Sequence, residues 1–277
     1  MTLSERNNFF KAGIFFSSAV LMIVVAAAHA ILPAYPELVS AAEQRSFGLI
    51  QALIHRFLEP APYVAFATVA VSVVYALITM VFIYYFFEKT QAPEIFFFTF
   101  FILSFSFEAA RIMPPLTRVY GLPSIYFTMT SRVLLFGRYF GLFSLFTASV
   151  YAAGLNVQKQ GNFVFVIIIA ALMIALRAPV DGVSWDSSLS MITGYSSMFK
   201  LVEAGIMGIT MISFFVSSFS RGAREYIFIG IGSCLVFFGR NILLGADTWV
   251  TPLPGLIILG LGTWFICTYL HRVYLWL

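Results

Sequence analysis

Charge is scarce in this chain. Of its 277 residues, 10% are charged and 61% are hydrophobic, against about 25% charged and about 45–50% apolar in soluble domains. The mean hydropathy of +0.94 excludes a soluble fold. Membrane spans and short connections take up nearly the whole length, so residues 1–277 read as a single integral membrane domain with the lipid bilayer as its first partner. Cysteine is also scarce. Cys234 and Cys267 fall inside apolar segments, without a CxxC, which excludes a disulfide framework.

Metal and cofactor chemistry lack their signatures. There is no HExxH or comparable ligand spacing, and His29, His55 and His271 are scattered. Pairing His29 with His55 over a haem or zinc is a weaker reading than two interfacial histidines, and no cofactor or metal is expected. The nucleophile elbow G-x-S-x-G and phosphate-binding glycine loops are missing too, so no motif supports an enzyme. The net charge of +4 is dispersed along the chain, which excludes a nucleic-acid-binding stripe.

What is present is a series of long apolar runs. A span needs about 20 apolar residues, and eight candidates emerge, at roughly 12–32, 62–87, 95–113, 128–153, 162–178, 198–218, 226–244 and 253–271. The fifth is the shortest; without it the count is seven. The fold class expected is all-α, a polytopic membrane helix bundle. The first run ends in Ala28-His29-Ala30, which imitates a secretory cleavage site, but it reads as a first transmembrane helix.

Lysine and arginine in the short connections set the orientation. With the N-terminus inside, the inner segments hold Arg6, Lys11, Lys89, Lys159, Arg221, Arg224 and Arg272; the outer loops hold Arg45, Arg56 and Arg118. Eight spans then return the C-terminus to the cytoplasmic side. The general architecture resembles the multi-helix membrane sensor modules of bacteria, which implies a bacterial cytoplasmic membrane. The longest outer connection opens with the capping box Ser40-x-x-Glu43 and repeats Phe47, Ile50, Ile54 and Phe57 at helical spacing up to Pro60. That pattern predicts one amphipathic helix on the outer surface. A faint likeness between FSFEAARIMPPL and VFFGRNILLGADTWVTPLP raises a repeat of four plus four spans, 12–157 and 162–275.

The charges within spans are the strongest signal. On this topology Glu108, Arg111, Arg138, Glu203 and Arg240 all fall in the outer half of the bilayer, with Asn241 beside Arg240 and with Arg177 and Asp181 at the outer end of the fifth span. The inner halves carry no Asp, Glu, Lys or Arg until the cytoplasmic boundary. A charge at the centre of a span costs about 2.5–3.5 kcal/mol on insertion scales, so these groups should face the bundle interior, pair, or line a wet cavity. Glu108 and Arg111 share an (i, i+3) spacing, as do Lys200 and Glu203. Arg138, Arg177 and Arg240 need counter-charges from other helices or from a ligand. End-of-helix cations such as Arg132, Arg177 and Lys200 can snorkel. The loop RAPVDGVSWDSS either offers Asp181, Asp186 and Trp185 as ligands or acid/base groups or, equally, reads as a turn with helix-capping Asp and Ser.

Arginines around an outward pocket suit a carboxylate or phosphate. The expected ligand-binding set is therefore Glu108, Arg111, Arg138, Arg177, Asp181, Glu203, Arg240 and Asn241. Four roles compete. The first is a receptor- or sensor-like protein that binds an anionic small molecule or lipid headgroup and signals through a membrane protein partner or a homo-oligomer. The second is a secondary transporter of a small anion. The third is an enzyme acting on a lipid headgroup, and the fourth a structural subunit whose charges lock a complex.

Overall fold

The computed structural model of this chain describes residues 3–31, 62–90, 92–155, 160–186, 188–189 and 191–275. Among them are eight helices long and apolar enough to cross a membrane, the eight expected and not seven. This is a multi-pass membrane helical protein. In chain order the helices are α1 (Leu3–Ile31), α2 (Pro62–Phe87), α3 (Pro93–Ser104), a 3₁₀ segment (Phe105–Ile112), α4 (Met113–Tyr120), α5 (Ser124–Ala152) and α6 (Gln160–Arg177). Strands β1 (Val180–Trp185) and β2 (Met191–Thr193) follow, then α7 (Ser196–Arg221), α8 (Glu225–Leu244) and α9 (Pro252–Leu275). The amphipathic helix expected over residues 40–60, with His55, lies outside the described residues.

α3, the 3₁₀ segment and α4 together form one span, and it is the most deeply buried of the eight. The run IFFFTFFI is apolar on every side, so it has no polar face to keep in water or against headgroups. It sits at the centre, with Phe97, Phe98, Phe101 and Phe105 fully buried against α5 and α2. The winding then changes. Pro114 and Pro115 have no N–H for the residue four back, and an α-helical proline ring would meet the carbonyl at that position. The chain answers by tightening. Met113 N–H bonds to Ala110 O, three residues back, and the eight residues before it are wound as 3₁₀ helix. Runs longer than three or four residues of this kind are uncommon.

α8 and α9 make the closest helix pair. A Cβ on Gly239 would lie 2.5 Å from Leu259 N, and one on Gly262 2.7 Å from Val236 N, so only glycine fits at these crossings. The glycines of α7 do no such work: Gly205 and Gly208 meet nothing within 4 Å, because α7 is the least buried span. A departure from the sequence reading lies in RAPVDGVSWDSS. Instead of a capping turn, Val180–Trp185 pairs antiparallel with Met191–Thr193. Valine, isoleucine, threonine and tryptophan concentrate in those two stretches, and such residues favour strand over turn.

One end of the bundle is tied by side chains to helix termini. Arg6 of α1 donates to the Phe87 and Glu88 carbonyls that close α2. Arg221, closing α7, donates to the Tyr151 carbonyl of α5 and the Tyr226 hydroxyl of α8. Tyr274 of α9 donates to Glu94 at the start of α3. This end holds both described chain ends, and the charged span residues gather at the other.

Candidate functional site

In a 3₁₀ helix residues three apart eclipse one another. Phe105, Glu108 and Arg111 therefore form one row along the segment, and all three are buried. The row packs against α5, which brings Arg138 to Glu108. The contact is two-pronged: Arg138 Nε donates to Glu108 Oε1 at 3.0 Å and Nη2 to Oε2 at 3.2 Å. Arg111 approaches the same carboxylate at 3.8 Å and donates to the Ser188 carbonyl of the hairpin turn. The in-helix pair anticipated from the spacing is thus the longer of two contacts. The tighter partner comes from a neighbouring helix, and Arg111 ties the hairpin to the span.

Beside this network lies a cavity of about 540 Å³ between α5, α7, α8 and the hairpin. Arg138, Tyr139, Lys200, Glu203, Arg240 and Asn241 supply its polar lining, with Asp186 and Ser188 from the hairpin; Leu134, Leu135, Phe199, Phe237 and Leu244 supply an apolar wall. Arg240 is 3% exposed, and its nearest ring is Phe101, 6.0 Å away. Among the described residues it has neither a hydrogen-bond nor an ion-pair partner. The Tyr139 hydroxyl is buried and unpartnered as well. Glu203, half-buried on α7, acts on Arg240, Arg138 and Tyr139 through its charge, yet makes no ion pair with any of them. Lys200 and Glu203 do not pair despite their spacing, since Lys200 is exposed.

Of the eight residues anticipated, Arg138, Glu203, Arg240 and Asn241 line the cavity, and Glu108 and Arg111 stand behind it holding Arg138 and the hairpin. Arg177 does not join them. It is exposed at the end of α6, a helix that packs mainly on α5, and it is not among the cavity's lining residues. Asp181 falls in β1, and its side chain lies outside the described residues.

Sequence reasoning missed Tyr139 and the Ser188 carbonyl. A tyrosine next to a mid-span arginine was a usable signal for the first; nothing in the sequence marks the second. It also missed the opposite end. The third run, read as 95–113, leaves Glu94 in the connection before it, but Glu94 is 1% exposed, with Oε2 bonded to Tyr274 and Oε1 unpartnered. The two carboxylates at issue, Glu94 and Glu108, sit on the same span, at its start and past its middle. No group of three or more His, Cys, Asp or Glu among the described residues is placed to hold a metal ion.

No known protein family matches this chain, and no solved structure matches it. Over 89 residues it is 29% identical to a protein of Treponema pallidum (strain Nichols) described as "Uncharacterized protein". The matched stretch covers 32% of this chain and about a quarter, 26%, of that relative.

Proposed function

We propose that this protein is a membrane binding protein of receptor or sensor type, whose cavity between α5, α7, α8 and the hairpin takes a carboxylate or phosphate. One observation carries the reading: Arg240 is buried against the cavity with no counter-charge in contact. A desolvated guanidinium without hydrogen bonds costs several kcal/mol, and an oxyanion offers the planar two-point contact that cancels this cost. The Tyr139 hydroxyl and the Arg138 edge lie on the same lining and add donors. α7 supports the signalling half of the reading. It contributes Phe199, Lys200, Glu203 and Ala204 to the cavity and then leaves Ile209, Ile212 and Phe219 exposed, where a partner span can read its position.

The test is titration calorimetry of the full chain in detergent with a panel of carboxylates and phosphate esters. Arg240→Ala is expected to weaken binding by about tenfold or more, and Arg240→Lys to recover part of it. Wild-type affinity in Arg240→Ala would sink the reading. Arg240 is the better probe than Arg138, whose removal strips Glu108 of its main partner.

A second reading, a transporter of the same anion, is favoured by the interrupted span, since transporter sites gather at broken helices. Uptake of a bound anion by proteoliposomes decides between the two.

A further inference from the structure

The cavity carries a second charge without an ion-pair partner among the described residues, of the opposite sign. Glu203 faces it from α7 and Arg240 from α8. Glu203 acts on Arg240 through its charge, yet neither has an ion-pair or hydrogen-bond partner among the described residues. Two opposite charges that share one cavity and do not meet leave space for something between them. A plain anion satisfies Arg240 and the Tyr139 hydroxyl but gains nothing from Glu203, whose negative charge opposes it. An ammonium group on the same molecule turns that opposition into a charge-assisted hydrogen bond.

We infer that the ligand is an amine zwitterion: an oxyanion bound by Arg240 and Tyr139, and an ammonium a few atoms away bound by Glu203. The inference rests on the anion-binding reading above and names the ligand class within it. The apolar wall of Leu134, Leu135, Phe199, Phe237 and Leu244 receives a hydrocarbon body attached to that polar pair. A free amino acid and the headgroup of phosphatidylethanolamine share this chemistry.

Two matched pairs test it: phosphoethanolamine against ethyl phosphate, and leucine against 4-methylpentanoate, each pair differing by the amine. Titrated into the full chain in detergent, the amine-bearing member of at least one pair is expected to bind about tenfold or more tightly than its partner, the worth of one charge-assisted contact. Glu203→Gln should erase that preference and bind the plain anion more tightly than wild type, since the opposing charge is gone. Arg240→Ala should weaken both members. Equal affinity for both members of both pairs, together with no amine preference in the lipid arm below, overturns the zwitterion while leaving the anion reading standing. Loss of the plain anion as well in Glu203→Gln overturns it too, because Glu203 would then be shaping the cavity and not reading the amine.

A third arm separates the sources and covers a ligand that the soluble pairs do not mimic. Native mass spectrometry of chain purified in mixed micelles compares retention of phosphatidylethanolamine with phosphatidylglycerol. A preference for the former that Glu203→Gln abolishes assigns the amine to a lipid headgroup; competition by phosphoethanolamine or leucine assigns it to a solute. Lack of amine preference in every arm overturns the inference.

Discussion

Glu108 and Glu94 lie on one span, both within 2% of complete burial, and the protein treats them in opposite ways. Glu108 is gripped by two prongs of Arg138 and approached by Arg111. Glu94 has one phenol, and its other oxygen is left alone. A buried carboxylate ringed by arginines is part of a charge balance, and removing it strands cations. A buried carboxyl with one neutral hydrogen-bond partner, and the Arg221 cation acting on it only from a distance, needs mainly that hydrogen bond. The difference follows from neighbours: the Glu108 end of the span meets arginine-bearing α5, and the Glu94 end meets the tyrosines of α8 and α9.

Three substitutions put the comparison at risk, each read as a shift in unfolding free energy in mild detergent. Glu108→Gln should cost most, about 3–5 kcal/mol, because Arg138 and Arg111 stay buried without their counter-charge. Tyr274→Phe should cost about 1–3 kcal/mol, leaving both oxygens of Glu94 unsatisfied. Glu94→Gln should cost least, under about 1 kcal/mol, since the amide oxygen still accepts from Tyr274. The order is the point. If Glu94→Gln matches Glu108→Gln, Glu94 is also part of a charge balance and the contrast collapses; if it exceeds Tyr274→Phe, the carboxyl matters for more than that bond.

The fold was legible where hydropathy decides it. Eight runs gave eight spans, and even the short fifth, Gln160–Arg177, is a helix, because an 18-residue stretch that is mostly apolar has few alternatives in a bilayer. The hairpin was not legible. RAPVDGVSWDSS carries Asp, Gly and Ser enough to look like a turn, and what made strands of it was the pairing of Val180–Trp185 with Met191–Thr193, a non-local fact. The cavity was legible in part. Depth along each span picked out Glu108, Arg111, Arg138, Glu203 and Arg240, since charges at similar depth on adjacent helices have few places to go. Depth does not give azimuth, and so Arg177 was grouped with residues it does not meet. Nor does it give burial, and so Glu94, at the right depth for an interface, passed as a loop residue.

The 3₁₀ winding of Phe105–Ile112 also fixes a length. Eight residues at about 2.0 Å each extend about 16 Å, while the same eight in an α-helix extend about 12 Å. The rod that holds Glu108 at one point and the hairpin, through Arg111, at another is thus about 4 Å longer than an unbroken α-helix of the same sequence. Rewinding it would draw the Pro114–Pro115 shoulder inward by that amount. It would also swing Arg111 about 60° around the axis relative to Glu108, from 120° per residue to 100°. Carboxylate and hairpin are threaded on one screw, and neither can be advanced without turning the other.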